Sequence, residues 1–156
     1  MPRLTSEGNV KVYKIPAVSD KQFPTTAEVI TAGTNLTPFL PTAGVSIDWT
    51  QNNATLPMLD ESFTIAAVGT ESATIELTGV RNDTSDDFWD AFDRGENFFL
   101  GVSRFGVPVA GSVLEIYPVQ SHRPVPLTPA GDEFQQARVS LAITDTPELN
   151  AVLDGS

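Results

Sequence analysis

Cysteine is missing from this chain of 156 residues, and with it go disulfides, zinc–thiolate centres and cysteine nucleophiles. A single histidine, His122, cannot build an imidazole cluster around a metal. It would also be the sole base for a Ser-His-Asp arrangement, and no G-x-S-x-G nucleophile elbow accompanies it. A lone histidine in the loop sequence QSHRPVP reads as a surface residue. No P-loop and no G-x-G-x-x-G is present. The acidic stretch DTSDDFWDAFDRGE fails the D-x-[DN]-x-[DN]-G pattern of a calcium loop, because counting from Asp90 the third place is Phe92. Carboxylate pairs are unavoidable among 20 acidic residues and carry no signal for glycosidase chemistry. An enzyme is disfavoured, and no catalytic residue, metal or cofactor is expected.

Long apolar runs are also missing. No window approaches the ~18 apolar residues of a membrane span, and the N-terminal MPRLTSEGNV lacks the apolar core of a signal peptide. No membrane partner is expected, and the chain is expected to be made and kept in the cytosol or released by lysis. The sequons at Asn35, Asn53 and Asn82 then reflect turn composition only. Basic residues are scarce, nine against 20 acidic for a net charge of −11. Such a surface repels phosphate backbones and speaks against nucleic-acid binding in a groove. The charge is uneven. All three lysines (Lys11, Lys14, Lys21) come early, while residues 83–96 carry Asp83, Asp86, Asp87, Asp90, Asp93 and Glu96 against Arg94. Opposite charge in separate regions would suit head-to-tail contact between copies, but a solvated acidic helix face is the simpler account.

What the chain does have is alternation. In SATIELTG, Ala73, Ile75 and Leu77 face one way and Ser72, Thr74, Glu76 and Thr78 the other. In FQQARVSLAIT, Ala137, Val139, Leu141 and Ile143 oppose Gln136, Arg138, Ser140, Ala142 and Thr144. Period two means strands with one dry and one wet face. Further strands are expected at 9–18, in pieces over 35–40 and 44–50 around Pro38 and Pro41, at 62–68 before a turn at Gly69, at 96–109, and at 111–120. The last forms a long hairpin with 132–144 through a loop stiffened by Pro124, Pro126 and Pro129. A short helix over about 25–32 is announced by the Thr25/Glu28 capping box, with Gly33 ending it at positive φ and Val29 and Ile30 docking it. A second helix, about 84–94, has Thr84 or Ser85 as cap and Gly95 beyond its end. Its Phe88, Trp89 and Phe92 form a stripe that reads as core rather than as a cofactor box.

Seven or eight strands with two short helices predict a mainly β fold. The expected architecture is an antiparallel β-sandwich or partly closed barrel with one or two flanking α-helices. One domain spans 1–156, with an N-terminal arm of about 1–9 and a C-terminal tail of about 145–156 whose sequence has no period. Two features point to assembly. Residues 51–61 read as a turn-rich loop that nevertheless holds Leu56, Met58 and Leu59, a cluster suited either to a neighbouring subunit or to folding back on its own core. The wet strand faces are small and uncharged or mixed, with fewer lysines and glutamates than an ordinary exposed sheet carries, as a channel lining would be.

The stretches VYKIPAVSD, PTTAEVITAGTNLTPFL, IELTGVRNDTSDDFWDAFDRGENFFLGV and FQQARVSLAIT carry a resemblance over about 10–145. The chain resembles the major tail (tail-tube) proteins of long-tailed bacteriophages, in particular siphophages of actinobacterial hosts. The resemblance implies a virion protein, assembled in the host cytoplasm, that forms stacked hexameric rings through which genome DNA passes without specific binding. It also implies partners: copies of itself, a tape measure protein, and tail tip and terminator proteins. Under it the wet faces (Ser72, Thr74, Glu76, Thr78, Gln136, Arg138, Ser140, Thr144) line the lumen. Arg138 works against a negative lining and is expected to be neutralised by a carboxylate, Glu76 across the strands being the candidate. The competing readings are a ring-forming tail-completion or connector protein and a β-sandwich binding or decoration module. The latter would call for clustered exposed aromatics, whereas Trp49 and Trp89 read as buried or anchoring.

Overall fold

The structure, a computed structural model, describes residues 10–41, 44–57, 64–82, 85–128 and 134–155, without the side chains at 56, 57 and 64–66. The expected arm at 1–9, together with Met58 and Leu59, lies outside the described residues. The strands are β1 (Lys11–Ile15), β2 (Thr34–Asn35), β3 (Val45–Pro57), β4 (Thr64–Val80), β5 (Asn97–Ser103), β6 (Val113–Ser121), β7 (Val125–Leu127), β8 (Gln136–Ile143) and β9 (Glu148–Val152). They form one antiparallel sheet in the order β2-β1-β5-β6-β8-β4-β3, with β7 beside β8 and β9 beside β6. Among the described residues the path does not close on itself, so the mainly β fold is an open antiparallel sheet and not a sealed barrel.

β6 is the corner. Val119–Ser121 pair with β8, while Val113–Ile116 pair with β9. The sheet folds over there, and the dry faces of β1–β5–β6 and of β8–β4–β3 meet in one core. Val12, Leu100, Tyr117 and Val119 pack with Ile75, Leu77, Val139 and Leu141. β1 and β6 are covered on both faces, although Lys11 and Lys14 interrupt the apolar side chains of β1. Their other side buries Tyr13, Ile15, Leu114 and Ile116 under Val29, Ala151 and Leu153. Two-sided burial of this kind turns alternation into a continuous apolar run.

Several local expectations are corrected. The Thr25/Glu28 capping box forms: the Thr25 amide donates to Glu28 Oε1 at 3.0 Å, and the Glu28 amide donates to Thr25 Oγ1 at 3.2 Å. These bonds to the ionised form hold the Glu28 carboxyl below its ordinary value, the Thr25 amide contributing most. The turn they open is wound as a π-helix, Ala27–Thr31, with Val29 buried and Ile30 outside. Gly33 is not at positive φ. It is glycine because a Cβ there would stand 2.1 Å from the Val29 carbonyl oxygen, a close approach rather than a change of hand. Residues 37–39 make a 3-10 turn around Pro38 in place of a strand piece. The expected break at Gly69 is not a turn either. Gly69 lies inside β4 opposite the bulge between Gln51 and Asn53, where a Cβ would meet the Asn52 oxygen at 2.6 Å. A glycine within a strand pattern marks such bulges.

The second helix is far shorter than its pattern suggested. α1 is a single turn, Asp87–Asp90, with Asp86 at its N-cap position and no side-chain cap bond. Four residues rich in aspartate cannot sustain a helix against the cost of nucleation. The chain instead turns at Ala91, and Phe88 and Phe92 are buried all the same. Arg81 pairs with Asp86 at 2.9 Å and lies 4.1 Å over the Trp89 ring. Lys14 pairs with Glu96 at 2.9 Å, donates to the Ala91 carbonyl and sits over the Phe98 ring. One of the early lysines thus pairs with a carboxylate of the acidic segment within a single subunit.

The aperiodic tail docks. β9 pairs with β6, Leu153 is buried, and the Val152 and Asp154 amides donate to the Gln22 and Pro24 carbonyls. Its irregular pattern is that of a short edge segment with only Ala151 and Leu153 turned inward. Leu153→Ala is expected to cost ~2–5 kcal/mol through the cavity it leaves. Urea denaturation measures this, and a loss below ~0.5 kcal/mol would mean that the tail contributes nothing to the core.

Candidate assembly surfaces

The register of the β3–β4–β8 layer sorts the wet residues. Ser46 lies opposite Glu76, Asp48 opposite Thr74, and Thr50 opposite Ser72. Glu76 lies opposite Ser140 and Thr78 opposite Arg138. Because Ile75, Leu77, Ala137, Val139 and Leu141 are buried, period two turns Ser72, Thr74, Glu76, Thr78, Gln136, Arg138 and Ser140 to the opposite side of the layer, while Thr144 lies just past the end of β8. Ser72, Thr74, Glu76, Arg138 and Thr144 are exposed, and Thr78, Gln136 and Ser140 are half-buried. The structure therefore brings seven of the eight onto one face, with Thr144 beside the end of β8. It adds three that the alternation of GVSIDWT could have revealed: Ser46, Asp48 and Thr50. The Ser46 hydroxyl donates to Asp48 Oδ2 at 3.4 Å.

This face carries two carboxylates, Asp48 and Glu76, against the guanidinium of Arg138. The expected neutralisation of Arg138 by Glu76 is not found. The two are diagonal and not opposite, and no ion pair joins them among the four formed by the described residues. Diagonal partners stand ~7–8 Å apart at the backbone, which weakens such a pair.

The second surface is an arm. β4 pairs with β8 only over Ile75–Val80, whereas β3 and β4 continue together from Gln51 to Pro57 and from Thr64 to Glu71. The expected loop at 51–61 is thus strand up to Pro57. Hydrogen bonds join Gln51 to Glu71 and Asn52 to Thr70 across this ribbon. Ala54 and Ala67 are exposed and Val68 is 86% exposed. Leu56 sits near its far end, in the last strand residues described. Asparagine and proline in QNNATLP disguised the strand, since both are depleted in sheets.

At the root of the arm, where β8 gives way to the turn before β9, lies an open cleft of about 420 Å³ lined by Trp49, Ala73, Ile143, Pro147 and Leu149. The Trp49 ring lies 6.3 Å from that of Tyr117. Tyr117 donates to Glu115, which also pairs with Arg104. Burial pushes the Tyr117 phenol above its ordinary value, and the bond to Glu115 adds to this. The network closes the end of the core with its polar atoms satisfied.

Among the described residues no group of three His, Cys, Asp or Glu side chains is placed to hold a metal ion, and no helix is long and apolar enough to cross a membrane. No curated protein matches this sequence. Among solved structures, the fold is similar to a chain in the virion of a native gene transfer agent particle. The identity is 13%, with 90% of this chain and 95% of that chain covered and a TM-score of 0.54. It is also similar to a chain in the tail of an empty gene transfer agent particle with C6 symmetry, at 15% identity, 90% and 96% coverage and a TM-score of 0.51. The family described as phage tail tube protein matches residues 1–155. The chain belongs to the phage tail tube protein family, and it is a structural protein of the virion tail.

Proposed function

We propose that six copies form a ring, that rings stack into the tail tube, and that the wet face of β3–β4–β8 lines its lumen as a conduit for genome DNA. The observation that carries this reading is the face itself, formed mostly by small polar side chains with two carboxylates against one guanidinium. The C6 symmetry of the similar gene transfer agent tail supports the ring number. No enzymatic role is assigned to any residue. Its further partners would be a tape measure protein and tail tip and terminator proteins, and assembly would take place in the host cytoplasm.

DNA carries a charge every ~1.7 Å of its axis, so a positive lining would hold it through counterion release, while a neutral or negative one lets it slide. Electron microscopy of concentrated protein tests the assembly, with tubes as the expected outcome and featureless monomers as the contrary one. Glu76→Lys tests the lumen. It reverses one charge per copy at an exposed site, so tubes should form normally while DNA ejection slows and becomes salt-dependent. A tube structure with Glu76 on the outer wall would end the assignment.

A further inference from the structure

We propose that the β5–β6 loop, residues 104–112, is an axial docking surface that seats on the α1 end of the next copy. This inference rests on the tube reading above and adds a second contact to the arm.

The two ends are fixed by register. β6 runs from Val113 to Ser121 and meets the end of β8 at Val119–Ile143. Residues 104–112 therefore lie beyond the C-terminal end of β8, on the side toward which the arm extends. The opposite end is closed by the stretch from α1 to Gly95: Phe88 packs on Gly79, and the Gly95 amide donates to the Ser121 carbonyl at 2.8 Å. Phe134 lies at this end too, next to Gln135, whose carbonyl accepts from the Arg81 amide at 2.9 Å.

The loop is pinned and still shows its apolar side chains to solvent. Ser103 Oγ donates to the Gly106 carbonyl at 2.7 Å, the Val109 amide donates to Ser112 Oγ at 2.9 Å, and the Gly111 amide donates to the Leu153 carbonyl at 2.8 Å. Gly106 and Gly111 take φ of 98° and 88°, a geometry that L side chains resist. Phe105, Val107 and Val109 are nevertheless 70%, 68% and 63% exposed. A loop held this firmly with three large apolar groups outward is preorganised for contact, and such patches mark interaction sites. At the other end Phe134 is 78% exposed.

Electrostatics selects a second copy as the occupant. From Asn97 to Leu114 the chain holds one charge, Arg104, and Glu115 pairs with it. Lys11, opposite Ser103 in the register, adds a cation at the same end. The other end exposes Asp87, Asp90 and Asp93 against Arg94. For a chain of net charge −11, contact between copies is least opposed where this end, whose loop 104–112 has no carboxylate of its own and has Lys11 nearby with Asp154 beside it, meets the aspartates. Two different patches at opposite ends make a heterologous contact, which propagates as an open stack and does not stop at a dimer.

Because the chain has no cysteine, a Val107→Cys/Phe134→Cys variant carries only the two introduced thiols. Treatment of its tubes with a short bis-maleimide should produce a ladder of dimers, trimers and longer chains on a denaturing gel, while either single variant stops at dimers. A double variant that forms tubes but gives no ladder beyond the single variants overturns the proposal. The Phe105→Ser/Val107→Ser/Val109→Ser variant should keep the wild-type melting temperature and fail to form tubes. If it forms tubes like the wild type, the docking surface is wrong and the tube reading stands. If the wild type itself forms none at high concentration, the tube reading fails and this inference with it.

Discussion

Phe88→Ala should destabilise the protein by ~3–5 kcal/mol, as removal of a buried phenylalanine does. That is a large part of the ~5–15 kcal/mol that holds a domain together. Phe88 is fully buried, and its ring lies 5.3 Å from Phe92 in an edge-on arrangement, with Phe92 in turn 5.8 Å from Phe98. The seat is specific. A Cβ on Gly79 would stand 2.5 Å from the Phe88 ring, so the ring rests directly on the backbone of β4. Truncation would leave a cavity that neither the rigid strand nor a one-turn helix can collapse to fill. Gly79→Ala should destabilise from the other side by pushing the ring out. Denaturant melts of both variants decide the matter, and an unchanged midpoint for Phe88→Ala would show that α1 is not a core element.

That residue was legible in the sequence for a reason that did not depend on the helix. An apolar pair spaced i, i+4 in a strongly acidic stretch has to go inside whether the backbone is helical or merely turns. The extent of α1 was not legible, because capping and spacing describe what a helix would do once formed and not whether four residues can sustain it. The strands of the wet-faced layer were legible because one face is buried and the other is not, and period two records that difference directly. β1 and β6 show the limit of the same signal: with both faces covered, their dry positions are continuous, and which core each side chain enters depends on partners distant in the chain. β9 shows another limit, since two inward residues in an edge segment are too few to make a period. The exposed Phe105, Val107 and Val109 of FGVPVAGS read as the end of a strand, since sequence does not distinguish an apolar residue buried in a sheet from one held outward by glycines at positive φ.

Replacing Leu56, Met58 and Leu59 with serine should leave a folded monomer that forms no tubes. From Gln51 to Pro57 and from Thr64 to Glu71 the two strands pair only with each other, and seven residues at ~3.4 Å each carry them about 20 Å past the point where the sheet supports them. A two-stranded ribbon is at best marginally stable in water. Its described side chains include Ala54, Ala67 and Val68, all exposed, so it gains little from its own subunit. Contact with a neighbour would bury these residues, and an apolar end supplies the driving force at roughly 25 cal/mol per Å² removed from water. The described core clusters lie outside the ribbon, so the monomer is expected to stay folded. The separation of the two readouts makes the test sharp: the melting temperature should hold while sedimentation and electron microscopy show assembly abolished. Tubes of normal length from the triple serine variant would show that the arm does not join subunits through its apolar end.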